Sequence, residues 1–182
     1  METNIPELAS CQRCALSKTR TRVVIGSGPD SPSLMVIGEA PGKNEDEGGE
    51  PFIGRSGQLL FRLLEEETGL LRSDCFVTNV VKCRPPNNRT PNKTELGACR
   101  PWLDSQFIAV SPQFVLVLGN TASRAVFDHT EPIGAVHGKV ISLGPVRGMA
   151  TYHPAAALRQ GPSVVDVMRQ DLRILKTLLG KQ

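Results

Sequence analysis

Short apolar runs that stop at a glycine or a polar residue recur along the chain, separated by stretches with helical spacing. Leu34 to Ile37 is one such run, closed by Gly38, and Phe114 to Leu118 is another, closed by Gly119. Cys75 to Val81 is a third, broken only by Thr78 and Asn79. Runs of this length between turn residues read as buried strands. Ser56 to Thr68 instead places Leu59, Leu60, Leu63 and Leu64 on one helical face, with Glu65 to Glu67 near its end and Gly69 as a C-cap. A longer helix is expected over Lys93 to Val110, kinked or divided at Pro101, whose ring cannot sit comfortably inside a helix. Thr121 to Phe127 reads as a short helix, and Val140 to Leu143 with Val146 to Tyr152 as a strand pair near the end of the sheet. Ser163 to Leu179 closes the chain as a helix with Val165, Met168, Leu172, Leu175 and Leu179 facing inward. Near-continuous apolar strands alternating with helices imply an α/β fold with a mainly parallel sheet covered on both faces. Ligands of such sheets gather at the carboxyl ends of the strands. Three polar segments fall there: the turn after Ile37, Asn79, and the residues after Tyr152.

Composition narrows the class. The chain has 182 residues, enough for one domain with a real core, and shows no linker, repeat or low-complexity tract. A single domain over residues 1–182 is expected. With 40% apolar and 21% charged residues, collagen, coiled coil and disorder are excluded. No apolar run is long enough to cross a bilayer and no secretory start is visible, so a cytoplasmic, thiol-reducing setting is expected, without membrane partners. The net charge of +3 conceals a gradient. Residues 1–67 carry seven basic and eleven acidic side chains, and residues 68–182 carry fourteen and seven. Fourteen of the 21 cations are arginine, which suits phosphate, although a basic half is equally compatible with an ordinary solvated surface.

Five cysteines in a reducing compartment argue against a disulfide framework. Cys11 and Cys14 form a C-x2-C pair, while Cys83 and Cys99 lie far downstream and are not so paired. The spacing leaves an iron–sulfur cluster, a zinc site and plain buried thiols all open. Cys75, in an apolar strand, reads as core. The Gly38-Glu39-Ala40-Pro41-Gly42-Lys43 loop tempts a phosphate-loop reading, but the Walker pattern needs four residues between its glycines and Ser or Thr after the lysine, and Asn44 stands there. Glu39, directly after a buried strand, needs a partner or a task. Glu45-Asp46-Glu47 reads most simply as a solvated acidic loop.

Taken together and in order, Gly38-Glu39-Ala40-Pro41-Gly42, Glu45-Asp46, Gly49 with Pro51-Phe52-Ile53-Gly54, Thr78-Asn79-Val80-Val81-Lys82-Cys83-Arg84-Pro85-Pro86 and His153-Pro154 resemble the family 4 uracil-DNA glycosylases. The likeness runs from about Cys11 to Arg159. It implies a three-layer α/β/α sandwich around a four-stranded, mainly parallel sheet. It also implies a structural [4Fe–4S] cluster on Cys11, Cys14, Cys83 and Cys99, and hydrolysis of uracil from DNA to leave an abasic site.

That chemistry requires an extruded, enclosed base. The resemblance gives Phe52 as the stacking face, Asn79 as the amide reading the uracil edge, Glu45 as the group barring thymine's methyl, and the backbone around Ala40 as a further base contact. His153 is the expected donor to O2 of the departing uracil anion, an oxyanion-type role. The best-known uracil glycosylase family has a water-activating Asp where this chain has Ala40. The remaining catalytic candidate is Glu39, positioning the water or steadying the sugar cation. DNA contacts are expected from Arg84, Arg89 and Lys93 in the Pro/Asn-rich stretch, from the backbone near Gly54 to Gly57, and from Leu158 and Arg159, Leu158 filling the space the base leaves. A monomer acting on uracil-containing DNA is expected. The rival is a non-catalytic iron–sulfur or zinc accessory protein that binds nucleic acid, which gives no reason for Phe52, Asn79 and His153. A nucleotide-binding enzyme is disfavoured by the failed Walker count.

Overall fold

The computed structural model describes residues 6–180. Strands β1 (Leu34–Gly38), β2 (Cys75–Asn79), β3 (Phe114–Leu118), β4 (Val140–Leu143) and β5 (Val146–Thr151) form one sheet in the order β2-β1-β3-β5-β4. The first four in that order are parallel, and β4 pairs antiparallel with β5. The expected four-stranded parallel sheet is therefore present with a fifth, antiparallel edge strand. Helices α1 (Pro6–Ala9), α2 (Lys43–Gly48), α3 (Arg55–Thr68), α4 (Lys93–Val110), α5 (Gly119–Phe127), α6 (Ile133–Val136), α7 (Pro154–Gln160) and α8 (Pro162–Leu179) complete the chain.

Alternation along the strands builds two cores. Leu34 and Val36 of β1, Val77 of β2 and Leu116 of β3 pack with Leu60, Leu63 and Leu64 of α3 and Met168, Leu172 and Leu175 of α8. Met35 and Ile37, Phe76, and Val115 and Val117 point the other way, onto Trp102 and Leu103 of α4 and Ala122 of α5. Every residue of β1, β2 and β3 is buried, as a sheet covered on both faces requires. Outside the core, Glu66 and Glu67 of α3 pair with Arg169 and Arg173 of α8 and fasten the helices on one face together.

Two expectations are corrected. Pro101 does not divide α4, which runs unbroken from an Asn92–Glu95 capping box to Val110. The residue four positions before the proline is Gly97, whose exposed backbone leaves its carbonyl open to water. Residues 45–47 are not a solvated loop but part of α2, with Glu45 and Asp46 buried. Asp46 accepts from the backbone N–H of Thr21 (2.9 Å) and Arg22 (3.4 Å), tying the N-terminal segment to the body.

Candidate functional site

Parallel pairing brings the carboxyl ends of β1, β2 and β5 to one edge, with Gly38 in register with Asn79. A cavity of about 640 Å³ opens there, lined among others by Glu39, Glu45, Phe52, Asn79, His153 and Arg159. Six candidates scattered through the sequence thus share one wall system, joined by Ala40 and Arg89.

Asn79 is 2% exposed, and its side-chain Oδ1 has no hydrogen-bond partner although it is buried. An orphaned buried acceptor is costly, and this one stands at a cavity wall. Gly38 forms the floor beneath it. A Cβ at this position would stand 2.4 Å from Asn79 Oδ1 and 2.5 Å from Cζ of Phe52, so only glycine lets amide and ring approach together.

Phe52 itself has φ of 57°, left-handed for a bulky side chain. Such a conformation costs about 1–2 kcal/mol and persists only where neighbours fix it. Here Arg72 donates to the Pro51 carbonyl at 2.9 Å. Gly57 lies so close under the Phe52 carbonyl that no side chain fits. The ring faces that of His153, centroid to centroid 6.0 Å, across the cavity.

His153 caps α7, accepting the Ala155 N–H at Nδ1 over 3.1 Å. With Nδ1 an acceptor, the ring proton of the neutral imidazole is on Nε2. Burial, reinforced by the charge of Arg159, pulls its pKa down to about 4. At neutral pH the side chain is therefore an uncharged N–H donor. Gly119, with φ of 84°, packs against it, and a Cβ there would touch the His153 Cβ at 3.0 Å.

Two carboxylates line the cavity. Glu45 Oε1 accepts the Gly54 N–H at 2.8 Å and so is held in the wall. The Glu39 side chain has no hydrogen-bond or ion-pair partner among the described residues.

The rim carries the remaining candidates. Arg159 lines the cavity, and Leu158 beside it is 45% exposed, a large apolar side chain presented to solvent. Arg89 also lines the cavity, but its guanidinium forks onto the buried Glu95 at 2.7 and 2.8 Å. Arg84 stands outside the lining and donates from Nε to Asn88 Oδ1 at 2.7 Å. Between them Asn87 and Asn88 both adopt positive φ, and Asn88 lines the cavity.

On the opposite core face, Cys11, Cys14, Cys83 and Cys99 surround one small pocket with Arg20 and Lys82. Three N–H groups point at the sulfurs. Trp102 Nε1 donates to Cys11 (3.2 Å), the Lys82 backbone to Cys99 (3.3 Å), and Arg20 to Cys83 (3.3 Å). Donors to sulfur are what a thiolate-ligated centre needs to hold its charge in a buried place. Burial pushes the Cys83 thiol up to about 11 when nothing is bound, so ligation would have to displace its proton. Among the described residues no three His, Cys, Asp or Glu side chains stand close enough to hold a single metal ion. A zinc ion would need its thiolates about 2.3 Å away, whereas a polynuclear cluster takes them more widely set. Cys75 is apart from this group, fully buried among the leucines of the other face.

A family model for the uracil DNA glycosylase superfamily matches residues 25–173, spanning every strand and the cavity. The chain belongs to that superfamily. Within it, a type-4 uracil-DNA glycosylase of Saccharolobus solfataricus is 42% identical over 97% of this chain and 85% of its own length. A type-4 uracil-DNA glycosylase of Thermotoga maritima is 37% identical over the whole of this chain and 96% of its own. A type-5 uracil-DNA glycosylase of Pyrobaculum aerophilum is 32% identical over 77% of this chain and 69% of its own length. The likeness to the type-4 relatives extends over nearly the whole chain, the cysteine-bearing segments included.

Several residues that shape this cavity escape a reading of the sequence. Gly38 and Gly119 do so because a glycine after a strand looks like a mere turn. Arg72 escapes because its partners, Ser27 and Pro51, lie far along the chain, and Lys82 because one of its three acceptors, Gln106, does. One signal was available: Lys82 sits in an otherwise apolar run, where a charge is out of place unless it is paired.

Proposed function

We propose that the protein is a base-excision repair enzyme that hydrolyses the N-glycosidic bond of uracil in DNA, leaving an abasic site. The observation that carries this reading is the pairing of Asn79, a buried amide with an unpartnered acceptor, with the neutral Nε2–H donor of His153 in one cavity. Uracil presents one donor, N3–H, between two carbonyl acceptors. The Asn79 Oδ1 accepts N3–H while its amide N–H donates to O4. Cytosine reverses that pattern and leaves the amide mispaired. Phe52 stacks on the base, worth about 1–3 kcal/mol. Glu45, fixed by Gly54, walls the position that thymine's methyl would occupy, and the turn at Ala40 closes the same side.

Bond cleavage leaves negative charge on uracil, greatest at O2 and N1, and positive charge on the sugar. His153 donates Nε2–H to O2, and because the ring is already neutral and fixed by Ala155, no reorganisation accompanies the reaction. Glu39, the uncommitted carboxylate, positions the water or steadies the sugar cation, a task Ala40 cannot perform. Arg159 and Arg84 meet phosphates, Arg89 frames the loop through Glu95, and Leu158 enters the gap in the stack. Cys11, Cys14, Cys83 and Cys99 hold a [4Fe–4S] cluster, which joins the N-terminal segment to α4 and takes no part in the chemistry. The enzyme forms a single domain and acts as a monomer.

The test is incubation with a uracil-containing oligonucleotide followed by alkali. Strand cleavage is expected for the wild type and loss of most of it for Asn79→Ala and His153→Ala, both of which keep their fold and brown colour. Full activity in both variants overturns the site, and an intact strand with wild type overturns the function.

A further inference from the structure

Lys82 is fully buried, three residues past the end of β2 and directly before Cys83. Its ammonium Nζ donates to Thr78 Oγ1, to the Asn79 backbone carbonyl and to Gln106 Oε1, each at 2.6 Å. Three acceptors match the three N–H donors of an ammonium one for one. The second layer is equally complete. Thr78 Oγ1 and Gln106 Nε2 both donate to the Ile25 carbonyl, at 3.1 and 2.7 Å. Thr78, Lys82 and Gln106 have no solvent exposure at all.

Burial pulls the pKa of the Lys82 ammonium down to about 7, so keeping it among neutral acceptors is an expensive way to fill space, since an apolar side chain of similar volume would serve packing as well or better. What the arrangement accomplishes is geometric. After Asn79 the chain first keeps step with the chain leaving β1, with Val80 N–H on the Gly38 carbonyl at 2.9 Å and Val81 N–H on the Glu39 carbonyl at 3.1 Å, through a bend. Lys82 then reaches back to the carbonyl of Asn79 and the side chain of Thr78. The Asn79 backbone is thereby fixed on the side away from the cavity, and its amide side chain can project only towards Gly38 and the cavity.

We propose that Lys82 is the positioning residue for Asn79: its ammonium clamps the end of β2 so that the amide meets the uracil edge at a fixed height and angle. The proposal rests on the reading of Asn79 as the base-reading residue. Lys82 touches neither substrate nor cavity and acts only through Asn79. Its own backbone N–H donates to Cys99 Sγ at 3.3 Å, so it also joins the cysteine group to the base pocket by a hydrogen bond.

A displacement of about 1 Å at a reacting group costs on the order of 100-fold in rate, so Lys82→Met should lower kcat on a uracil oligonucleotide by about that factor. KM, set chiefly by phosphate contacts elsewhere, should change little. The deciding experiment is a double-mutant cycle with Asn79→Ala, with fold followed by circular dichroism and the cluster by absorbance near 400 nm. If Lys82 acts through Asn79, Lys82→Met adds nothing to the loss already caused by Asn79→Ala. Multiplying losses, or unchanged kcat in Lys82→Met, overturns the proposal. Thr78→Val, which removes one acceptor of the ammonium and little volume, runs the same cycle should Lys82→Met fail to fold, with the same expected and contrary results. Wild-type protein without uracil excision overturns the underlying functional reading, and with it this proposal.

Discussion

The protonation state of His153 is the most exposed part of the mechanism and can be measured directly. An ordinary histidine with a pKa of 6.5 is about 90% protonated at pH 5.5, whereas one at about 4 is about 3% protonated there. The depression has visible causes. The ring is buried against the cavity wall, Arg159 adds positive charge, and Nδ1 already accepts the Ala155 N–H. Adding a proton to Nδ1 would set two N–H groups against each other at the start of α7. The unfolded chain takes up this proton near 6.5 and the folded one only near 4. Across that window the unfolded state binds more protons, so stability falls as pH drops from 6.5 towards 4, by about 3 kcal/mol from this group. Long-range nitrogen NMR of the three imidazoles, with His153→Gln identifying the resonance, should show an Nε2–H tautomer at pH 7.5 and a midpoint near 4. The kcat/KM profile should then show no inflection from His153 between pH 5.5 and 8. A midpoint at 6–7, or an Nδ1–H tautomer at neutral pH, refutes the argument that a neutral donor serves O2.

Two further outcomes test the site and the cysteine centre. Gly38→Ala forces a methyl into space shared by Asn79 and Phe52, so it should cost about 1–3 kcal/mol of stability by overpacking and lower kcat at least 100-fold while the brown colour remains; wild-type kcat would show that the floor is not closed. Cys99→Ser should abolish the visible absorbance near 400 nm, and Cys75→Ser should leave it intact, since Cys75 belongs to the opposite core; the spectra of the two purified variants decide it.

The layered α/β order was legible because the strands of a doubly covered sheet must be short and apolar, as Leu34 to Ile37 and Phe114 to Leu118 are, and because α3 shows its leucine face openly. Asn79 and His153 stood out as polar residues at strand ends, and the ordered motifs supplied the roles proposed for them. What stayed hidden depends on contacts between distant segments. The left-handed backbone of Phe52 is imposed by Arg72 and Gly57, neither of which marks itself in the sequence. Asp46 looked like a surface acid because its partners are backbone N–H groups of Thr21 and Arg22, and backbone donors leave no trace in composition. Pro101 suggested a break, and α4 runs through it undivided.

The N-terminal segment has a consequence for how the molecule comes together. Among the described residues no strand of the sheet begins before Leu34, although Ser27 makes an isolated bridge to Val77, and the contact from Trp102 to Cys11 bridges 91 positions. Closing a loop of that length costs about 4 kcal/mol of chain entropy, more than one N–H···S contact returns. The rest of its hold comes from buried Leu8 and Leu16 and from Asp46 on the Thr21 and Arg22 backbone, and the [4Fe–4S] group proposed above adds the fastening nearest the chain start. Removing that group should turn the stretch around Arg13, Lys18 and Arg20 into a trypsin-sensitive strap while the sheet behind it stays folded. Loss of the metal would then register first as a change in what the protein joins together, and only afterwards as a change in what it is.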